Sequence, residues 1–218
     1  LNFKRRRQMK KVMIVEDQKM VRTLFESFIE KAEGYRVVAS LSSAYDSIEY
    51  CRDHEIDLIL MDVQTDNREN GIVAVEKIKS DYPRIKIIVV TSLVDYEILY
   101  AAQRAKADSL WYKDGDEETL INVINRTMNG EHIFPTSPPP VTIGTAKSTD
   151  FTKTEMKVLR YLIKGLSYKK IADEMCIEVT TVKYHVANML QKTNLENKLQ
   201  LALAVSDAKL IVHLENEE

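Results

Sequence analysis

Ile56-Asp57-Leu58-Ile59-Leu60-Met61-Asp62 is an apolar run, interrupted once, that ends on a carboxylate. It reads as the most apolar, and therefore the central, strand of a parallel sheet. Three other runs end in the same way. Val12-Met13-Ile14-Val15 leads into Glu16-Asp17, Ile85-Lys86-Ile87-Ile88-Val89-Val90 into Thr91-Ser92, and Leu110-Trp111-Tyr112 into Lys113. Helical segments are expected between and after them, near 19–33, 44–54, 71–81, 95–105 and 117–128. Alternation of strand and helix marks an α/β domain whose sheet is covered on both faces. In such a sheet the strand ends point one way, and ligands bind beyond their carboxyl ends.

Three carboxylates (Glu16, Asp17, Asp62), the Thr91 hydroxyl and the Lys113 amine would thus meet at one edge. This set suits a divalent cation and a phosphoryl group. Mg²⁺ takes hard oxygen ligands and keeps several waters. A carboxylate can act as a nucleophile and become an aspartyl phosphate, with positioning and charge neutralisation supplying the catalysis. Asp62 is expected to be the acceptor because it ends the central strand. Each residue alone has a plainer explanation: a strand-end Asp is a turn or cap residue, and a lone Lys is a solvated one. The four positions in order carry the argument.

Residues from about 10 to 130 resemble the receiver domain of bacterial two-component response regulators, in the order acidic pair, acceptor Asp, Thr, Lys. The resemblance implies a doubly wound, five-stranded parallel sheet of the flavodoxin-like kind. It implies Mg²⁺ on Glu16, Asp17, Asp62 and the backbone carbonyl of Gln64, phosphoryl transfer to Asp62 from a sensor histidine kinase, and Thr91 and Lys113 closing on the phosphoryl oxygens. The chain departs from the family at two places. Val63-Gln64-Thr65-Asp66-Asn67-Arg68-Glu69-Asn70-Gly71 lacks the usual Met-Pro and is one residue longer than usual. Leu110 stands where an aromatic is common, with Trp111 and Tyr112 beside it.

The chain has 218 residues, a hydrophobic fraction of 44% and a formal net charge of -2. That length suits one large or two small domains, and the charge rules out a uniformly basic nucleic-acid coat. The two cysteines, Cys51 and Cys176, fall in separate segments, which suits a reducing, cytoplasmic setting without a disulfide framework. No apolar run is long enough to span a membrane. The basic run Lys4-Arg5-Arg6-Arg7 precedes Met9, which reads as a natural start; residues 1–8 are expected to be foreign or an over-extended start rather than a DNA-touching arm.

Asn129-Gly130 closes the last helix of the first domain. Ile133-Phe134-Pro135-Thr136-Ser137-Pro138-Pro139-Pro140 then stiffens into an extended segment. The expected division is a receiver at 9–130, a linker at 131–149 and a small all-α domain at 150–213. In the last, Thr152 and Glu155 have capping-box spacing ahead of a helix with Met156, Leu159, Leu162 and Ile163 inward. Ser167 caps a short helix carrying Ile171, Ala172 and Met175; a turn at Cys176-Ile177-Glu178 follows; and a third helix turns Val182, Val186, Met189 and Leu190 inward. Two helices joined by a tight turn describe a helix-turn-helix.

The outer face of the third helix offers Thr180, Thr181, Lys183, Tyr184, Asn188 and Lys192 to promoter DNA, where a helix can read major-groove edges while Lys and Thr hold phosphates. The run Glu155…Val158-Leu159…Gly165…Ile171-Ala172…Thr181-Val182-Lys183…His185…Lys192 resembles the LuxR-type helix-turn-helix of the NarL/FixJ response regulators. That resemblance implies base contacts at Lys183, Tyr184 and Ala187, the last through apolar contact only. Glu178 stands for a frequent Ser and Lys198 for a frequent Arg. From Lys147 to His213 there are eleven Lys/Arg against seven Asp/Glu, a surplus suited to a homodimer using two half-sites.

The function expected is therefore a DNA-binding transcription regulator, not an enzyme, switched by phosphorylation of Asp62. One alternative is a receiver-type regulator that binds DNA without phosphoryl transfer. A phosphohydrolase is disfavoured because Gln64 stands where a second Asp would protonate the leaving group. A dinucleotide enzyme is disfavoured because no Gly-rich turn follows the first strand.

Overall fold

The computed structural model describes residues 9–211, and the expectations for residues 1–8 and for the acidic tail lie outside them. These residues form two compact units, 9–92 with 96–137 and 93–95 with 138–211. In the first, β1 (Lys10–Val15), β2 (Tyr35–Leu41), β3 (Leu58–Asp62), β4 (Lys86–Thr91) and β5 (Ser109–Tyr112) form a parallel sheet in the order β2-β1-β3-β4-β5. The apolar run ending at Asp62 thus supplies the central strand, β3, and every residue of β3 is buried.

Five helices connect and cover the strands: α1 (Lys19–Lys31), α2 (Ala44–Asp53), α3 (Gly71–Asp81), α4 (Tyr96–Arg104) and α5 (Glu117–Met128). On one face Val12, Ile14, Leu58, Leu60, Ile88, Val90 and Trp111 pack against Phe25 and Ile29 of α1 and Leu120 and Ile124 of α5. Burying each such side chain stabilises by about 1.5–3 kcal/mol. Helix starts follow local chemistry. Ser43, Asn70 and Asp116 are N-caps whose side chains accept from Asp46, Ile72 and Thr119 amides.

The second unit contains a short hairpin, β6 (Thr142–Ile143) with β7 (Ala146–Lys147), and four helices: α6 (Lys153–Ile163), α7 (Tyr168–Met175), α8 (Val179–Thr193) and α9 (Lys198–Asp207). The capping box of Thr152 and Glu155 is formed. The segment 131–149 carries more structure than a linker. Leu110 N–H donates to the Ile133 carbonyl at 2.9 Å, so that part of the segment continues the β5 edge. The hairpin seals the end of α8, because Thr145 donates from its amide to the Thr193 carbonyl and from its hydroxyl to the Lys192 carbonyl, both at 3.0 Å. Those carbonyls belong to the helix end that lacks intrahelical donors. Gly144 (φ +58) is required there, since a Cβ would lie 2.1 Å from the Thr193 carbonyl oxygen. No helix among the described residues is long and apolar enough to cross a membrane.

Candidate functional site: an acidic strand edge and an exposed helix face

Glu16 and Asp17 follow β1 directly, Asp62 ends β3, Thr91 ends β4 and Lys113 follows β5. The five residues expected at one edge meet there. Ligand oxygens of Glu16, Asp17 and Asp62 lie within 4.8 Å of one another. The Lys113 ammonium donates to Asp62 Oδ2 at 2.7 Å and Glu16 Oε2 at 2.5 Å. Lys113 is itself held by its amide, which donates to the Thr91 carbonyl at 2.9 Å and prolongs the β4–β5 ladder. The Arg22 guanidinium donates to the Glu16 and Asp17 carbonyls, bracing the turn out of β1. Asp62, Glu16 and Thr91 are all buried.

Burial pushes the Glu16 carboxyl from 4.5 up to about 7; the Asp62 charge adds to the rise and Lys113 opposes it. Burial likewise raises Asp62 against the pull of Lys113 and of the Val63 amide, which donates to Asp62 Oδ1 at 2.7 Å. Burial alone would lower the Lys113 amine, but Asp62 and Glu16 outweigh it and hold it above its ordinary value. One cation therefore serves two buried carboxylates and leaves a third. Asp17 Oδ1 is buried and accepts no hydrogen bond among the described residues. An orphaned carboxylate oxygen beside two more is a donor set fitted to a hard divalent cation. Gln64 is half-buried and forms an antiparallel bridge with Asn70 at the base of the following loop.

The aromatic neighbours of Lys113 are distributed by strand alternation. Leu110 pairs in register with Val89 and Tyr112 with Thr91, so the aromatic beside the threonine comes from the position just before the lysine. Trp111 lies on the other face, edge-on to Phe25 at 6.2 Å between ring centres, and donates to the Thr119 hydroxyl at 3.3 Å. It is core packing, as the alternation suggests. The turn after Lys113 rests on it: a Cβ on Gly115 would lie 2.8 Å from the indole ring.

In the helical unit, Val182, Val186 and Met189 of α8 are buried, whereas Thr180, Lys183, Tyr184 and Ala187 are exposed and Thr181 and Asn188 are half-buried. His185 is half-buried and its ring meets that of Tyr184 edge-on, with centres 5.8 Å apart. Lys192 is placed differently from its neighbours. Its ammonium donates to Glu155 Oε2 at 2.7 Å and the Asp150 carbonyl at 2.9 Å. Glu155 is buried; burial would raise its carboxyl, but the Lys192 bond and the Thr152 amide hold it below its usual value. Lys192 thus ties the end of α8 to the start of α6. Gln191 is exposed in line with Ala187 and Tyr184.

Residues 12–125 match the family model described as the response regulator receiver domain, and residues 149–205 match that of bacterial regulatory proteins of the luxR family. Among curated proteins, the response regulator protein VraR of Staphylococcus saprophyticus is 31% identical over 206 residues, covering 92% of this chain and 98% of that protein. VraR of Staphylococcus epidermidis is 30% identical over 209 residues, with the same coverage. Among solved structures, one of two RcsB dimers bound to two parallel DNAs superposes with a TM-score of 0.62 at 20% identity, over 91% of this chain and 98% of that one.

Proposed function

This chain belongs to the two-component response regulators that join a receiver domain to a LuxR-family DNA-binding domain, and we propose that phosphorylation of Asp62 by a histidine kinase controls its binding to promoter DNA. The observation that carries the proposal is the meeting of Asp62, Glu16 and Asp17 within 4.8 Å, with Lys113 2.7 Å from the acceptor. Mg²⁺, held by Glu16, Asp17, Asp62 and the Gln64 carbonyl, would neutralise charge on the phosphoryl oxygens. Asp62 supplies the attacking oxygen, which bonds to phosphorus as the bond from phosphorus to the kinase's histidine nitrogen breaks. Lys113, already bonded to Asp62, passes to a phosphoryl oxygen, and the Thr91 hydroxyl donates to another. Movement of Thr91 and Lys113 shifts a two-state equilibrium of the receiver.

The output is DNA binding by α8 in the major groove, with Thr180, Thr181, Lys183, Tyr184, Ala187 and Asn188 toward the duplex and Lys192 fixing the helix from behind. The modest basic surplus of the helical unit favours a homodimer spanning two half-sites. Incubation with acetyl phosphate and Mg²⁺ followed by phosphate-affinity electrophoresis tests the switch. The wild type is expected to show a retarded band that Asp62→Ala lacks. A retarded band that persists in Asp62→Ala overturns the assignment.

A further inference from the structure

The loop between Asp62 and α3 has no proline, yet it is tightly fastened. Its backbone passes through two successive left-handed residues, Asn67 (φ 56) and Arg68 (φ 59). Non-glycine residues pay for that conformation, and it persists only where surrounding bonds impose it. The bonds here run to the start of α2. The Glu69 carboxylate accepts from the Ser43 hydroxyl at 2.8 Å, the Tyr45 amide at 3.2 Å and the Thr65 hydroxyl at 3.3 Å. The Thr65 hydroxyl in turn accepts from the Ala44 amide at 3.0 Å, and the Asp66 amide donates to the Ser42 carbonyl at 3.1 Å. Within the loop the Thr65 amide donates to the Glu69 carbonyl and the Glu69 amide to the Asp66 carbonyl. A carboxylate at a helix amino terminus is also favoured by the helix dipole.

Both ends of this loop are rooted at the acceptor. The Val63 amide donates to Asp62 Oδ1 at 2.7 Å, and the Gly71 amide donates to the Val63 carbonyl at 2.8 Å. Gly71 lies so close that a Cβ there would be 1.9 Å from the Asp62 carbonyl oxygen. A loop fixed at its root beside Asp62 and across its neck by Glu69 is held in one place, with Asp62, Val63 and Thr65 all buried.

We propose that Glu69 is a positioning residue: by clasping the loop 63–70 to the amino terminus of α2 it excludes water from phosphorylated Asp62 and so sets the lifetime of the phosphoryl group. The inference rests on the reading of Asp62 as the acceptor. In the step it restrains, a water oxygen bonds to phosphorus and the bond between phosphorus and the Asp62 oxygen breaks. The carboxylate is restored, and dihydrogen phosphate leaves carrying both water protons. Releasing the clasp admits water and shortens the lifetime.

The test uses the full chain, labelled with radioactive acetyl phosphate and Mg²⁺, freed of donor and followed for loss of label. Glu69→Ala is expected to shorten the half-life about fivefold, the change that ~1 kcal/mol in the barrier produces. Glu69→Gln keeps an acceptor oxygen for Ser43 and Tyr45, and its half-life should return to within about twofold of wild type. Thr65→Val removes the second tie while keeping the side-chain shape and should also shorten the half-life; it decides the question if Glu69→Ala does not fold. Labelled variants that decay at the wild-type rate overturn the clasp and leave the acceptor standing. A wild-type chain that takes no label overturns the acceptor and the clasp together.

Discussion

The strand edge of the receiver and the outer face of α8 are built in opposite ways. At the edge, charges are buried, close and mutually dependent: Lys113 bonds two carboxylates, and their protonation follows from burial and from one another. On α8 the side chains turned outward are exposed, Tyr184 to 62%, while Lys192 is engaged within its own unit. The first is a small electrostatic machine whose parts cannot be changed singly. The second is a surface whose parts add nearly independently.

The sharpest way to break this contrast is Lys113→Met. A carboxyl raised on folding contributes stability below its unfolded value, here 4.5, and that contribution is lost as pH climbs through about 7. Lys113 limits the loss. Removing it leaves Glu16 and Asp62 unpaired and is expected to cost about 3–5 kcal/mol at pH 8. The cost should be smaller at pH 5, where Glu16, raised to about 7, takes up a proton. Urea melts of the metal-free protein at the two pH values check it; equal costs would show that the edge is not electrostatically coupled.

Lys192→Met comes next in size. It strands the buried Glu155 carboxylate and should cost about 2 kcal/mol, less than for a fully buried pair because the Lys192 side chain is 33% exposed. Its signature lies in the salt dependence of DNA binding. A strut leaves the slope of log affinity against log salt unchanged, whereas a phosphate contact lowers it by about one. Lys183→Met, on the exposed face, should lower the slope by about one and leave the urea midpoint where it was. If both variants change the slope alike, the distinction between Lys192 and its neighbours fails.

The strand edge was legible because strand ends are marked twice, by the end of an apolar run and by a charged residue that packing has no use for there. The boundaries of α3 and α5 were legible because Asn70 and Asp116 cap them and breakers follow. Lys192 illustrates what was not. Helical spacing puts it outward, and only the fold brings Glu155, 37 positions away, to its ammonium. The hairpin of β6 and β7 was hidden for another reason: two-residue strands are too short to show alternation, and the prolines before them read as extended chain. Tyr112 lies beside Thr91 through a register between strands that spacing from the lysine does not report.

Trp111 is the single tryptophan of the chain. It is seated beneath Gly115, two residues past Lys113, and touches α1 and α5 through Phe25 and Thr119. An indole so placed is an optical gauge beside the lysine: displacement of that turn would alter the ring's surroundings and hence its emission colour. The proposed phosphorylation of Asp62, by drawing Lys113 inward, is therefore expected to be readable as a change in fluorescence, in real time and without an attached dye.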